Sequence, residues 1–180
     1  MDSSVLVSVV QGWQLPAAST AVARQLADFV AWRIRTQRDT FAVPAVAFGE
    51  FLCGDGKTTP DDTKRLAEVI AKAFEIAPYD AQAAYECGKI FDKVGRKRHF
   101  QSIGNSPLKS WQSYKIDVLV LATAKSISAD FVLADDSQMV SVGAEIGITV
   151  LRPDECKILP ENQTKPKSIG GRQSLPGLGE

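Results

Sequence analysis

Four carboxylates lie beside or within apolar segments of this sequence, where an unpaired charge is costly. They are Asp2 before the first apolar run, Glu50 within residues 46–52, Asp117 at the start of a predicted helix, and Asp136 just past a predicted strand. Crowded carboxylates repel one another and raise each other's pKa unless a cation neutralises them. Their hard oxygen atoms suit Mg²⁺ or Mn²⁺. Such a cation activates water and stabilises charge on a phosphate, so the acids suggest a phosphodiesterase centre.

Each of these acids also has an ordinary structural interpretation. An aspartate before a helix is most often an N-cap, and Glu50 has many arginines with which to pair. An unrelated phosphate-binding α/β protein is a further alternative, which the lack of a GxxxxGK[ST] or GxGxxG loop weakens. The single histidine, His99, argues against zinc clusters and histidine-based triads. Any chemistry must therefore depend mainly on carboxylates.

Composition indicates an ordinary globular chain. The 180 residues include 21 Lys+Arg and 21 Asp+Glu, and 44% of them are hydrophobic. This balance excludes a bulk polycation that binds nucleic acid through overall charge. No apolar run reaches the roughly 18 to 20 residues of a membrane helix, and the first residues carry no basic signal region. Three isolated cysteines favour a reducing, cytoplasmic setting; they are Cys53, Cys87 and Cys156.

Hydrophobic periodicity predicts helices that alternate with short strands, which indicates an α/β fold with a parallel sheet. Residues 3–10 are predicted as either a strand or the start of a buried helix. Asp61 and Asp62, and then Asp80, are predicted to cap helices. We expect one domain at residues 1–155 and a mobile polar tail at 156–180. The predicted helices are 17–37, 45–53, 62–74, 80–94, 116–128 and 137–145, and the strands are 40–43, 75–78, 130–134 and 148–151.

Ligand sites of parallel α/β sheets gather beyond the carboxyl ends of the strands. Asp136 fits this rule directly, and Asp117 and Glu50 could face the same crevice. Residues 95–115 are predicted as a long loop, and some helix near Trp111 is left open. The stretch 93–115 is basic and contains no acid. Cations and interleaved aromatic rings suit single-stranded RNA, although a solvated loop with buried aromatics remains an alternative. The candidate RNA-binding residues are Arg96, Lys97, Arg98, Lys109 and Lys115.

Four motifs in order resemble those of PIN domains, a family of Rossmann-like metal-dependent nucleases that includes the VapC-type toxins. An aspartate opens an apolar helix in KIDVLVLATA, residues 115–124, and a strand ends in an aspartate in ADFVLADD, residues 129–136. The segment VPAVAFGEFLCG, residues 43–54, is similar to the family's segment around its helical glutamate. DSSVLV, residues 2–7, is similar to its opening motif. The resemblance covers about residues 2–152.

The resemblance implies a three-layer α/β/α fold with a mainly parallel central sheet, whose first strand is truncated because only Met1 precedes Asp2. It implies Asp2, Glu50, Asp117 and Asp136 as catalytic metal ligands, with Ser3 in support. Asp135 is the fallback ligand if the last motif shifts by one residue. Ala134 departs from the usual hydroxyl residue and removes one possible ligand.

The resemblance further implies an endoribonuclease that uses Mg²⁺ or Mn²⁺ to hydrolyse RNA phosphodiester bonds, as the toxin of a type II toxin–antitoxin pair. Its implied partners are RNA, an antitoxin that covers the acidic groove, and a second copy in a homodimer. The alternative is a PIN-like scaffold that binds RNA or protein without cutting. The shortened start favours that alternative, because it puts the position of Asp2 in doubt.

Overall fold

The computed structural model describes residues 1–14, 20–37, 39–53, 59–95 and 111–158. The first apolar run is a helix rather than a strand, which settles the choice that the sequence left open. From residue 42 onward, one or two described helices separate consecutive strands, as the sequence predicts. The helices are α1 (Ser3–Gln14), α2 (Ala21–Trp32), α3 (Ala45–Cys53), α4 (Pro60–Ala73), α5 (Ala81–Ile90), α6 (Trp111–Ser126) and α7 (Ser137–Ile146).

The strands form two parallel pairs, which confirms the predicted α/β class with parallel strands. They are β1 (Ala42–Pro44), β2 (Glu75–Ala77), β3 (Phe131–Leu133) and β4 (Thr149–Leu151). β1 pairs with β2 in the register Val43 to Ile76, and β3 pairs with β4 in the register Val132 to Val150. Each strand contains three residues, so the two sheets are small. The helices provide most of the core.

The start of the chain bridges the two strand pairs. The Met1 ammonium donates a hydrogen bond to the Ala42 carbonyl (2.9 Å), and the Asp2 amide donates to the Leu133 carbonyl (3.0 Å). Burial lowers the pKa of the Met1 ammonium to about 6. A cleft of about 380 Å³ lies between β1 and β3 and is lined by Met1. Met1 and Asp2 thus connect β1 to β3 through backbone hydrogen bonds.

Two helix pairs account for much of the packing between helices. α1 packs on α2, and α5 packs on α6. At the first contact, Gly12 lies so close to α2 that an added Cβ would stand 2.6 Å from the Ala23 carbonyl oxygen. Among the described helices, none is long and apolar enough to cross a membrane. The largest fully buried side chains include Leu6, Leu26, Ile70, Ile90, Leu121, Leu133 and Met139.

Two predicted helix starts were wrong. α4 begins at Pro60 and is capped by the Thr59 hydroxyl, which accepts a hydrogen bond from the Asp62 amide (3.2 Å). Asp61 and Asp62 therefore lie in the first turn, where their negative charges interact favourably with the positive end of the helix dipole. α6 begins at Trp111 instead of residue 116. Asp117 consequently lies in the second turn of α6 and does not open it.

Other predicted boundaries were close to those observed. Asp80 caps α5, where its carboxylate accepts from the Ala83 amide (2.8 Å). The regular part of the second helix ends at Trp32 and continues as a π-helical turn through Gln37. The predicted tail lies outside the described residues from position 159 onward. Cys156 is buried in the core, and its carbonyl accepts a hydrogen bond from the Gln25 side chain (3.0 Å).

The three cysteines differ in accessibility, which predicts their reactivity. Cys53 is exposed, whereas Cys87 and Cys156 are buried. Burial also raises the pKa of the Cys156 thiol to about 11. Since the thiolate is the reacting form, we expect a thiol reagent to modify Cys53 rapidly and Cys156 slowly in the native protein. Mass spectrometry of the modified protein checks this order. Rapid native modification of Cys156 would contradict the packing of the chain at that residue.

Candidate active site

Two sequence-distant carboxylates meet at one serine hydroxyl. Ser3 Oγ lies 3.3 Å from Asp2 Oδ1 and 3.0 Å from Glu50 Oε2. Ser4 Oγ donates a second hydrogen bond to Asp2 Oδ2 (2.7 Å). The Ser3 hydroxyl carries a single proton, so it satisfies only one of the two carboxylates at a time. The arrangement brings the negative charges of Asp2 and Glu50 together around the Ser3 hydroxyl.

The backbone fixes the position of each of these groups. Asp2 is held against the end of β3 by its amide hydrogen bond to Leu133, and α1 begins directly after it. Glu50 lies in the second turn of α3, which follows β1 without a loop and packs against α1. Asp2 and Ser3 are half-buried, whereas Glu50 is exposed. A solvent-borne ligand can therefore reach the pair from the Glu50 side.

Asp136 stands at the start of α7, after the carboxyl end of β3. Its Oδ1 accepts hydrogen bonds from the Gln138 amide (2.6 Å) and the Met139 amide (3.4 Å), so Asp136 is an N-cap. Asp2 is bonded to the last residue of the same strand. Both acids therefore belong to the carboxyl edge of β3. The capping bonds fix the orientation of the Asp136 carboxylate, which is compatible with a further role as a ligand.

Asp117 lies on α6, a helix that packs against α3 as well as β1 and β3. Its side chain is half-buried. The pKa of the neighbouring Tyr114 is raised by burial first, and then by the negative charges of Glu145 and Asp117. Asp117 thus lies close enough to Tyr114 for its charge to act on the phenol, as does Glu145 of α7.

Asp135, the fallback ligand, lies beside a basic residue. Its carboxylate is exposed and lies 3.6 Å from the Arg152 guanidinium. Arg152 also faces Asp154 at 3.7 Å. Sequence reasoning did not single out Arg152. The available signal was its position directly after the last predicted strand, at the edge where ligand sites gather.

The donor atoms fit a hard divalent cation, but the grouping is incomplete. Asp2, Glu50 and Ser3 offer only oxygen ligands, the type that Mg²⁺ and Mn²⁺ prefer. Within the described part of the chain, no group of three or more His, Cys, Asp or Glu side chains is arranged to hold one metal ion. The two carboxylates and the hydroxyl therefore form an incomplete ligand set. Asp117 lies on α6, which packs against α3, and Asp136 follows β3, to which Asp2 is bonded.

The predicted basic loop can be followed only at its ends. Arg96, Lys97, Arg98 and Lys109 lie outside the described residues. Lys115 is exposed in the second turn of α6, two residues before Asp117. One of the five candidate RNA-binding residues is thus described, on the helix that also carries Asp117.

Comparison with known proteins identifies the family of the chain. No curated protein matches it. Residues 1–145 match the family model of the PIN domain, and this match contains Asp2, Glu50, Asp117 and Asp136 in order. PIN domains are generally nucleases that bind nucleic acid and use divalent metal ions. Because the match covers most of the sequence, the chain belongs to the PIN domain family.

Proposed function

We propose that the protein is a metal-dependent endoribonuclease that hydrolyses phosphodiester bonds of RNA. The observation that carries this proposal is the meeting of Asp2 and Glu50 at the Ser3 hydroxyl. Asp2 and Glu50 are far apart in sequence, and their contacts with one hydroxyl bring two negative charges together beside the end of β3. Two carboxylates that share one proton donor repel each other, and a bound cation would relieve that repulsion.

The side chains have distinct roles in this proposal. Asp2 and Glu50 bind Mg²⁺ or Mn²⁺, and Ser3 orients them or adds a hydroxyl ligand. Asp117 and Asp136 complete the set, and the capping bonds of Asp136 hold its carboxylate in one orientation. A bound divalent cation would lower the pKa of water and stabilise the negative charge that develops on the phosphate. One carboxylate also acts as general base and receives the proton of the attacking water.

The biological role in this proposal is that of a toxin of a type II toxin–antitoxin pair. The basic stretch at 93–115 would neutralise RNA phosphates, and its aromatic residues would stack on unpaired bases. An antitoxin segment would cover the acidic groove, and a second copy of the chain would form a homodimer. These partners follow from the resemblance to VapC-type toxins, together with the family of the chain.

The double variant Asp117→Asn/Asp136→Asn tests the proposed chemistry. Each amide keeps the size of the carboxylate but removes its charge, so we expect RNA cleavage to fall by more than about 100-fold. Cleavage of a labelled RNA is measured with Mg²⁺ and Mn²⁺, and with a chelator. Far-ultraviolet circular dichroism verifies the fold, since Asn also serves as an N-cap. Full activity in the double variant would refute the assignment of these acids.

A non-cutting scaffold is the second candidate, and one observation favours it. The described residues do not bring three acidic side chains into one metal-binding group. Manganese titration separates the two candidates through thermal unfolding. A metal present at a hundred times its Kd stabilises the folded state by about 2.7 kcal/mol. A shift in Tm that Glu50→Gln abolishes would support the nuclease, and the lack of any shift would support the scaffold.

A further inference from the structure

Arg152 stands out among the charged residues at the carboxyl edge of the sheet. Of the four strands that the structure describes, only β4 is followed directly by a basic residue. The acids at this edge include Asp2, Glu50, Asp135, Asp136, Asp154 and Glu155, whose carboxylate accepts from the Arg152 amide. A polyanion that approaches so many carboxylates requires a cationic contact close to them. Arg152 is placed to supply that contact.

Backbone hydrogen bonds define where Arg152 lies relative to the candidate active site. The Asp2 amide bonds to the Leu133 carbonyl (3.0 Å), and the Ala134 amide bonds to the Leu151 carbonyl (3.1 Å). Asp2, the end of β3 and the end of β4 are therefore consecutive neighbours. Adjacent strands lie about 4.8 Å apart, so the backbones at Asp2 and Arg152 are separated by about 10 Å. An extended arginine side chain spans most of that distance.

The guanidinium is only loosely held by its present neighbours. Its contacts with Asp135 (3.6 Å) and Asp154 (3.7 Å) are longer than hydrogen bonds, and 48% of the side chain is exposed. Exposed ion pairs of this kind contribute little to stability. The planar fork of five N–H donors matches two oxygens of a phosphate at hydrogen-bond distance. A phosphate would therefore compete effectively with the two carboxylates.

The geometry points to Arg152 as a positioning residue that binds a backbone phosphate of single-stranded RNA beside the acidic site. This inference rests on the proposed function, because it names the contact that holds the substrate there. In the free protein, Asp135 and Asp154 hold the guanidinium near the edge. On binding, the phosphate displaces Asp154, and Arg152 keeps the scissile region of the RNA next to Asp2 and Glu50.

RNA affinity of the full chain provides the first test. All variants carry Glu50→Gln to suppress cleavage, and the anisotropy of a fluorescent single-stranded RNA oligomer gives Kd at several salt concentrations. Arg152→Ala is expected to raise Kd about tenfold at low salt and to reduce the slope of log K against log salt by about 0.7. Arg152→Lys keeps the charge, so it retains the slope but recovers only part of the affinity. Asp154→Asn is expected to lower Kd, since a competing carboxylate is removed.

Arg35→Ala is the matched control. Arg35 is also exposed, but it lies in the π-helical turn that precedes β1, at the opposite end of the strands. Its replacement should leave Kd and the salt slope unchanged. If Arg152→Ala behaves like Arg35→Ala, Arg152 is an ordinary surface ion pair and the inference is overturned. If Arg152→Ala does not fold, the RNA affinities of Arg152→Lys and Asp154→Asn replace it as the test. Unchanged affinity in both variants overturns the inference.

Cleavage kinetics in the Glu50-containing protein separate this inference from the proposed function. Arg152→Ala should raise KM with little change in kcat, because it removes binding shared by substrate and transition state. Cleavage with an unchanged KM would refute the role of Arg152 and leave the nuclease intact. No cleavage by the unmodified protein, combined with Arg152-dependent RNA affinity, would refute the proposed nuclease and leave Arg152 as a phosphate contact.

Discussion

Glu50→Gln is expected to lower RNA cleavage by at least about 100-fold while leaving the fold intact, since even residues that only support a metal ligand contribute 10- to 100-fold. The amide has the same shape as the carboxylate but carries no charge, so it is a poor ligand for a hard cation. Glu50 is exposed and its described hydrogen bond is the one from Ser3. Its replacement should therefore leave Tm almost unchanged without metal. Initial cleavage rates and thermal unfolding measure the two effects.

Glu68→Gln is the matched control for this experiment. Glu68 is exposed on α4, so the same chemical change occurs away from the Ser3 hydroxyl. Cleavage should then remain at the level of the unmodified protein. Ser3→Ala should give an intermediate loss of about tenfold, the size expected for a residue that orients a ligand. Equal activities of the Glu50 and Glu68 variants would remove the main support for the proposed site.

Gly12→Ala is expected to destabilise the protein by about 1 to 3 kcal/mol, although alanine is the better helix former. The new Cβ would stand 2.6 Å from both the Ala23 carbonyl oxygen and the Ala27 Cβ. Backbone atoms of α2 cannot rotate away as a flexible side chain can. The helices must separate, which loosens the packing of α1 on α2. Urea unfolding measures the change in free energy.

Gly88→Ala controls for the propensity of the residue itself. Gly88 lies in α5, and an added Cβ there would meet no atom within 4 Å. The substitution should stabilise the protein by roughly 0.5 to 1 kcal/mol, the usual difference between glycine and alanine in a helix. The two variants should therefore shift the urea midpoint in opposite directions. A stabilising Gly12→Ala would show that α1 and α2 are less closely packed than described.

The elements with strong apolar periodicity were predictable from the sequence. The positions of β3 and α7, with Asp136 between them, follow from an apolar run that ends in an aspartate before an amphipathic segment. The helical choice for residues 3–10 was not predictable, because a short β-branched run fits either structure. Packing against α2 decides it, and periodicity carries no information about that neighbour.

The site was predictable in its residue types but only partly in its contacts. Sequence order placed Asp2 and Ser3 in one motif and Glu50 in another, whereas their hydrogen bonds join residues that are 47 positions apart. The first turn of α6 contains polar residues after a loop-like stretch, so its apolar pattern begins later than the helix does. This difference explains the wrong start at residue 116. The ion pair between Arg152 and Asp135 depends on strand pairing, which a single sequence does not specify.

The position of Met1 between the strand pairs means that a group attached to its nitrogen becomes an experimental variable. Met1 is buried, its nitrogen donates to Ala42, and it lines the cleft between β1 and β3, so a group attached to that nitrogen needs room beside these strands. The attached residues would come within one peptide unit of Asp2. An affinity handle attached to this nitrogen is thus not a neutral addition, and activity should be measured with and without it.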